Sequence, residues 1–282
     1  MITELHAHVF MDGKDYKRSV ARFKDGVCEE AVRDCLRAYQ ERGITHVRDG
    51  GDHFGACLYA KSIASEFGLT YITPAFALYK TGNYGRVAGE PYTDIKDFHQ
   101  KVLDARSLGA DFIKIMVSGI LDFDKYGVVS ETDYTNEFVD ELVHIAHEEG
   151  FAVMAHASGT EAVRRSAIAG ADSIEHGYYI DTEAMDIMAE KGLVWVPTAV
   201  TCVNLIGTGR FDEMAVAQIA DTHKAAISEA ASRGVLIGCG SDAGAYAVLH
   251  GKGAVQEHAL LCELMGPEAD QIMQRAAEKI FV

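Results

Sequence analysis

Short apolar runs rich in β-branched residues alternate along the chain with longer segments whose apolar positions follow helical spacing. This alternation is typical of repeated βα units built around a parallel sheet. The pattern predicts eight strands, at residues 2–8, 44–49, 70–78, 112–118, 152–156, 173–176, 194–199 and 236–241. Because an open doubly wound sheet usually has fewer strands, eight units predict an α/β fold of the closed (β/α)8 TIM-barrel type.

The segments between the strands carry the apolar period of helices, and several end at a glycine, as a helix C-cap does. The clearest predicted helices cover residues 29–41, 56–67, 94–107, 136–148 and 213–233. Residues 247–265 are predicted to form a loop and the eighth helix, and residues 269–280 an extra terminal helix on the outside. With no linker or low-complexity tract in the sequence, residues 1–282 are predicted to form a single domain.

The composition indicates a folded chain that does not bind nucleic acid. With 48% hydrophobic residues, 24% charged residues and 4 Pro, the chain can bury a core that offsets its conformational entropy. Its 26 Lys and Arg against 42 Asp and Glu give a net charge of −16, which repels phosphate backbones and anionic membrane surfaces. A small-molecule partner is therefore expected, and homo-oligomer formation is left open.

Cysteine usage and the N-terminal sequence bear on the cellular compartment. The six cysteines lack the paired spacing of a metal site, so we expect reduced thiols and a cytoplasmic protein. The N-terminal residues do not follow the basic-then-apolar pattern of an export signal, and no apolar run approaches about 18 residues. Neither export nor a membrane span is predicted.

Polar residues in the predicted strands carry the candidate chemistry. Strands of a parallel barrel are buried on both faces, and catalytic groups of barrel enzymes lie at their C-terminal ends. The candidate site residues in or just after these strands are His6, His8, Lys114, His156, His176 and Asp242.

The histidines fall into two pairs. His6 and His8 stand two apart in strand one, so their rings face the same side of the strand. Such a pair arises easily by chance among 12 His, but its place at a strand end favours metal ligation over two core histidines. His156 and His176 end successive strands, and two such histidines facing the first pair across a barrel mouth also favour ligation.

Lys114 lies in a strongly apolar strand, where a lone ammonium must be neutralised or paired. Three solutions are open: a carbamate formed with carbon dioxide, a Schiff-base lysine as in barrel aldolases, and a buried salt bridge. A carbamate is an anionic two-oxygen group that can bridge two metal ions, and the four strand-end histidines favour it.

The remaining polar residues receive narrower interpretations. Asp242 could cap a helix or turn, but a carboxylate beside a metal can also accept a proton from bound water, which is the role we predict. Arg48 and Asp49 end strand two, where we expect an Arg–Asp pair that braces the barrel or stands behind the metal ligands. Loops 79–92, 122–134 and 177–181 should overhang the site, whereas His144 and His147 should lie on a solvated helix face.

The six candidate positions together resemble the amidohydrolase superfamily, with His-x-His on strand one, Lys on strand four, His on strands five and six, and Asp on strand eight. Segments 45–51, 113–119, 156–159 and 173–177 are most similar to the prolidase-like and imidazolonepropionase-like branch. The resemblance covers nearly the whole chain. Members of this branch normally carry a small flanking β-sandwich, which we expect to be absent here, the chain being either a barrel-only member or a gene fragment.

The resemblance implies a binuclear metal centre. The first ion would be held by His6, His8 and Asp242, and the second by His156 and His176. The lysine of strand four, as its carbamate, would bridge the two ions. Zinc is the usual metal in such proteins, although other divalent metals substitute readily.

The implied activity is hydrolysis at a carbonyl by a hydroxide that bridges the metals, with Asp242 passing the proton to the leaving amine. We therefore predict an amidase or dipeptidase that cleaves the C–N bond of a small N-acyl amino acid or dipeptide-like substrate. A lactonase or phosphotriesterase would use the same six ligands. Superfamily deaminases generally lack the strand-four lysine and the barrel nucleases have a glutamate there, so Lys114 argues against both. A metal-free class I aldolase and a non-catalytic metal-binding barrel are the remaining alternatives.

Overall fold

A computed structural model describes residues 2–130 and 132–281 of the chain. Strands and helices alternate along the chain. The strands are β1 (Glu4–Ala7), β2 (His46–Asp49), β3 (Thr70–Ile72), β4 (Ala77–Lys80), β5 (Gly89–Tyr92), β6 (Ile113–Met116), β7 (Val153–Ala157), β8 (Ser173–His176), β9 (Val194–Val196) and β10 (Leu236–Ile237). The helices are α1 (Tyr16–Arg22), α2 (Glu29–Gln40), α3 (Ala56–Ile63), α4 (Ile95–Ser107), α5 (Asn136–Glu148), α6 (Thr160–Ala169), α7 (Thr182–Lys191), α8 (Val200–Val203), α9 (Glu213–Ser232), α10 (Lys252–Met265) and α11 (Ala269–Ile280).

Within the described residues the strands form two parallel sheets, one of three strands in the order β1-β2-β3 and one of seven in the order β10-β9-β8-β7-β6-β4-β5. Backbone hydrogen bonds join the sheets: Leu5 N donates to Cys239 O over 2.9 Å and His8 N to Ala243 O over 2.8 Å. Parallel strands with intervening helices confirm the α/β prediction.

Each predicted strand segment contains a strand, but the prediction of one continuous strand over 70–78 is wrong. Pro74 has no N–H to donate to a ladder, and Ala75 has a left-handed φ of 66°. The segment therefore divides into β3, which pairs with β2, and β4, which pairs with β6. Strand β5, inside the predicted loop 79–92, was not predicted.

Side-chain caps fix where several helices begin after the loops at the strand ends. Asp94, Thr135, Asp181 and Asp212 precede α4, α5, α7 and α9, and each side chain accepts a hydrogen bond from the backbone N–H three residues on. The extra terminal helix is confirmed as α11, whose buried face includes Ile272 and Met273. Within residues 2–130 and 132–281, none of the helices combines the length and apolar character needed to span a bilayer.

Candidate metal centre

The six predicted site residues meet at one cavity of about 330 Å³. Each is supplied by a strand or by the residues that follow one, so neighbouring parallel strands bring distant parts of the sequence together. In chain order they are His6 in β1, His8 just after it, Lys114 in β6, His156 in β7, His176 at the end of β8 and Asp242 after β10.

Their polar atoms lie close together. The Nε2 atom of His6 is 3.2 Å from Lys114 Nζ and 3.8 Å from Asp242 Oδ1, and His8 Nε2 is 3.7 Å from the same carboxylate oxygen. The ring of His176 has its centroid 4.9 Å from that of His6 and 4.6 Å from that of His156. One ligand atom from each of His6, His8 and Asp242 fits within 4.8 Å of the others, as a single metal ion requires.

The two histidines of the first strand each use one ring nitrogen to hold their position. The Nδ1 of His6 donates to Glu175 Oε2 over 2.7 Å, and the Nδ1 of His8 donates to the Gly51 carbonyl over 3.3 Å. A proton on Nδ1 leaves the lone pair on Nε2, the nitrogen that faces Asp242 in both residues. Gly50 permits this arrangement, because a Cβ there would lie 2.4 Å from the His8 ring.

The other two histidines are anchored in the same way. The Nε2 of His156 donates to the Gly119 carbonyl over 3.1 Å, and the Nδ1 of His176 lies 2.9 Å from the Thr198 hydroxyl oxygen. Histidine ligands of metals usually bond their second ring nitrogen to a protein group, which fixes the tautomer and the ring orientation. Each of the four histidines therefore has one ring nitrogen hydrogen-bonded to a protein group, as histidines that bind metals usually do.

Arg48 reaches the site through Glu175. Its Nη2 donates to Glu175 Oε1 over 2.7 Å, its Nη1 donates to Ser173 Oγ over 2.7 Å, and its Nε donates to the Leu5 carbonyl over 2.7 Å. Since Glu175 also accepts the Nδ1–H of His6, a chain of two hydrogen bonds connects the Arg48 guanidinium to this candidate ligand.

Arg48 and Asp49, which were predicted to brace the barrel or to stand behind the metal ligands, have separate hydrogen-bond partners. Neighbouring residues of a strand point to opposite faces, so Asp49 is directed away from Arg48. The Asp49 carboxylate instead accepts hydrogen bonds from the backbone N–H groups of Val9 and Gly51, and it thereby supports the segments on either side of His8.

Three site residues adopt a left-handed backbone, which is rare for residues other than glycine. The φ angles are 67° at His176, 48° at Thr198 and 57° at Asp242. Such strain costs free energy and persists where the surroundings impose it, often at functional sites. At His176 it also turns the side chain, so that Glu175 and His176 both approach the ring of His6.

Burial keeps the four imidazoles neutral at neutral pH. It is the largest cause that lowers the pKa of each ring, to about 3 at His8 and to about 4 at His156, with the nearby Lys114 adding to the effect. The pKa values of His6 and His176 are likewise well below the usual range, mainly because of burial. Metal ions bind the neutral form of histidine, so these rings need not lose a proton first.

Burial also shifts Lys114 and Asp242 toward neutrality. It lowers the pKa of the Lys114 amine to about 8, against the opposing pull of Glu175 and Asp242. It raises the pKa of the Asp242 carboxyl to about 6, although the positive charge of Lys114 acts in the other direction. A neutral amine is the form that reacts with carbon dioxide, and a carboxyl of this pKa can accept and release a proton near neutral pH.

Aromatic and apolar side chains form the outer wall of the cavity. The predicted overhanging loops contribute Tyr84, Phe123 and Tyr178. Residues within 205–211 and 245–246 also line this wall, which the sequence patterns did not predict. Among them, the guanidinium carbon of Arg210 lies 3.9 Å from the centroid of the Tyr246 ring. Residues 205–211 are far in the sequence from every predicted ligand, and the short spacing from Asp242 to Tyr246 does not by itself indicate that Tyr246 lines the cavity.

The two discounted histidines lie on the outer surface, as predicted. The side chain of His144 is 61% exposed, and its Nε2 lies 3.4 Å from a carboxylate oxygen of Glu148 on the same helix. The Nε2 of His147 lies 2.9 Å from a carboxylate oxygen of Asp172. They are separate from the cavity-lining residues.

Comparison with known proteins agrees with the geometry of the cavity. A sequence model described as the Amidohydrolase family matches residues 2–273. Ochratoxinase from Aspergillus niger is 33% identical over 266 residues, an alignment that covers 81% of this chain and 53% of that protein. The chain thus spans about half the length of the curated relatives it matches.

Solved structures show the same fold. A Xaa-Pro dipeptidase with bound methionine in its active site superposes with a TM-score of 0.77 at 25% identity, over 99% of this chain and 74% of that one. The crystal structure of A. niger ochratoxinase gives a TM-score of 0.76 at 22% identity, over 99% and 71% of the two chains. The family match along almost the entire sequence and these prolidase-like neighbours lead to one conclusion: this chain belongs to the amidohydrolase family.

Proposed function

We propose that this chain is a metal-dependent hydrolase that cleaves the amide bond of small N-acyl amino acids or dipeptide-like substrates. The observation that carries the proposal is the convergence of four histidines, a lysine and an aspartate on one cavity, with one nitrogen of each imidazole hydrogen-bonded away from it. The family match and the Xaa-Pro dipeptidase neighbour support an amide as the bond that is cleaved.

The donor set fits two divalent metal ions, with zinc as the expected metal. His6, His8 and Asp242 would hold one ion, His156 and His176 would hold the other, and the strand-four lysine would bridge them as its carbamate. When bound, the ions would polarise the scissile carbonyl and lower the pKa of water. The buried lysine suits the carbamate because its lowered pKa favours the neutral amine, whose nitrogen bonds to carbon dioxide with loss of one proton.

Asp242 would move the proton during hydrolysis. Its carboxylate lies at the cavity with 17% of the side chain exposed, where it would accept a proton from the attacking water and return it to the leaving amine.

The outer part of the cavity favours a substrate with an apolar group and a carboxylate. Tyr84, Phe123 and Tyr178 offer aromatic surface, and Arg210 supplies a guanidinium held over Tyr246. A guanidinium binds a carboxylate with two parallel hydrogen bonds, and every dipeptide or N-acyl amino acid carries that group.

In this proposal residues 1–282 form one hydrolase domain in which the two sheets close into a (β/α)8 barrel with an extra C-terminal helix. The hydrogen bonds from Leu5 to Cys239 and from His8 to Ala243 support closure between the first strand and the last. The direct passage of the chain from β3 to β4 supports closure on the other side.

The test is hydrolysis of a substrate panel by protein stripped of metal and then resupplied with Zn²⁺, Mn²⁺ or Co²⁺. The panel pairs N-acyl amino acids and dipeptides with lactones and phosphotriesters of similar size. We expect amide hydrolysis that disappears on chelation and returns with metal. Faster turnover of lactones or phosphotriesters would instead favour an ester hydrolase, and metal binding without turnover of any substrate would favour a non-catalytic barrel.

A further inference from the structure

A second cluster of metal-ligand residues lies on the C-terminal helix pair, away from the cavity. His258 and Cys262 are on α10, and Asp270 is in the first turn of α11. One ligand atom from each lies within 4.8 Å of the others. His258 Nε2 is 2.8 Å from Asp270 Oδ1 and 4.0 Å from Cys262 Sγ.

The helix geometry brings the imidazole and the thiol together. Residues four apart on a helix lie on the same face, so His258 and Cys262 point the same way from α10. The short turn Gly266–Glu268 then brings the start of α11 back toward them. Both α10 side chains are partly buried, whereas the Asp270 carboxylate is exposed, so an ion can reach the cluster from solvent.

The spacing is close to that of a tetrahedral zinc site. The usual Zn–S, Zn–N and Zn–O bond lengths separate the ligand atoms of a tetrahedral ion by about 3.3 to 3.6 Å. The nitrogen–sulfur distance here would shorten slightly and the nitrogen–oxygen distance would lengthen slightly. Cys262 Sγ is also 3.8 Å from His258 Nδ1, so binding would require the imidazole to turn until its Nε2 lone pair points at the ion.

An ion pair between His258 and Asp270 is the simplest alternative role for these residues. It accounts for the 2.8 Å contact between the helices, but it gives no role to the thiol beside the same ring. A thiolate and a carboxylate would together balance the charge of a divalent cation, with the imidazole neutral. The two alternatives therefore differ at Cys262: the metal site needs its thiolate as a ligand, whereas the ion pair does not involve it.

We propose that His258, Cys262 and Asp270 bind one thiophilic divalent cation, with Zn²⁺ as the natural choice and water in the fourth position. The ion would tie α10 to α11 across the intervening turn. The site is independent of the proposed function, because it uses a sulfur ligand and none of its residues lines the catalytic cavity.

A Co²⁺ titration of the reduced, metal-stripped full chain tests the proposal. A thiolate bound to Co²⁺ gives an intense near-ultraviolet charge-transfer band, whereas nitrogen and oxygen ligands do not. Among the described residues no cysteine lines the catalytic cavity, so cobalt bound in the cavity does not produce this charge-transfer band. We expect the band to reach the intensity of one thiolate-bound Co²⁺ per chain, whatever amount of cobalt the cavity also takes up, and to be lost when Zn²⁺ is added.

Variants identify the ligands. Cys262→Ser should abolish the band, and Asp270→Asn should weaken cobalt binding by about tenfold or more, since it removes one charged ligand. The matched control is Cys28→Ser, which removes another partly buried cysteine and should leave the band unchanged.

A second readout does not depend on a variant that folds. In the unmodified chain, Zn²⁺ should protect Cys262 from a thiol-alkylating reagent, as read by peptide mass spectrometry, while Cys28 remains equally reactive. The proposal is overturned if bound Co²⁺ produces no charge-transfer band, if the band survives in Cys262→Ser, or if Zn²⁺ leaves alkylation of Cys262 unchanged. Each of these results can occur whether or not the cavity hydrolyses amides.

Discussion

At the scale of single residues, the side chains behind the candidate metal ligands were harder to predict than the candidate ligands themselves. A position at the end of a buried strand was enough to predict His6, because a polar group there needs a function or a partner. Glu175 was missed, since strand alternation directs it and His176 to opposite faces. Because His176 has a left-handed φ, the side chains of Glu175 and His176 both approach the His6 ring instead of pointing to opposite faces. The pattern of residue types does not indicate this backbone conformation.

Glu175→Gln should weaken metal binding. The amide lacks the charge that holds the His6 Nδ1–H and pairs with Arg48, so the His6 ring loses its fixed orientation. Loss of a partner behind a metal ligand typically costs about 10- to 100-fold in affinity or activity. Ser173→Ala is the control, because Ser173 bonds Glu175 and Arg48 without touching His6. Metal affinities from competition with a chelator provide the measurement, and equal losses in both variants would refute a specific role for Glu175.

Asp242→Asn should abolish turnover while metal stays bound. Removal of a general acid–base group lowers kcat by about 10² to 10⁴-fold, whereas the histidines remain to hold the ions. The checks are kcat on the best amide substrate and the metal content of the same preparation. Activity within a few-fold of the unmodified enzyme would show that Asp242 does not transfer the proton.

Arg210→Ala should raise KM for substrates with a free carboxylate. A hydrogen bond to a charged group contributes about 1.5 to 3 kcal/mol, which corresponds to about 10- to 100-fold in KM. The matched control is the same substrate with its carboxylate amidated, for which both enzymes should have similar KM values. An equal change in KM for both substrates would mean that Arg210 does not bind the substrate carboxylate.

At the scale of elements, patterns predicted where strands lie better than how they pair. The run 70–78 has strand composition throughout, yet Pro74 lacks an N–H and Ala75 is left-handed, so the chain changes sheets between β3 and β4. Among the described residues, strand β5 pairs with β4 alone, and it lies in the segment predicted as a loop. Its residues Gly89–Tyr92 include a proline that breaks the apolar pattern. Both differences arise from local backbone conformation, which hydropathy does not report.

One contact between elements involves a fully buried glutamate side chain. Glu257 on α10 accepts the backbone N–H groups of Ala199 and Val200, at the start of α8, over 2.9 and 2.8 Å. Burial raises its pKa from 4.5 to about 7 despite these bonds. Because the folded pKa exceeds the unfolded one, the folded state holds a proton that the unfolded state has lost between these pH values. This contribution to stability is complete below about pH 4.5 and is lost as the pH rises through 7.

Glu257→Gln should therefore flatten the pH dependence of stability. In the metal-stripped chain the free energy of unfolding should fall from pH 5 to pH 8 by about 1 to 3 kcal/mol more than in the variant, which cannot titrate at this position. Urea unfolding of both proteins at the two pH values gives the comparison. The same pH dependence in both proteins would mean that Glu257 is not protonated on folding.

At the scale of the whole molecule, the order of strands and helices was sufficient to predict the α/β class and the six-residue constellation. Eight buried segments followed by helical ones leave few arrangements, and parallel strands deliver their C-terminal ends to one side. The outer wall was less predictable. Arg210 and Tyr246 come from separate loops, and their approach to 3.9 Å depends on the folded path of each loop.

The most direct test of the account is the number of divalent metal ions per chain, measured by elemental analysis on protein purified without chelator. The comparison uses Cys262→Ser protein, so that the helix-pair cluster does not contribute, with and without Lys114→Ala. The account predicts about two equivalents per chain, falling to one or fewer when Lys114, the proposed bridge, is lost. Protein that hydrolyses amides without metal, or a metal content unaffected by Lys114→Ala, would contradict it.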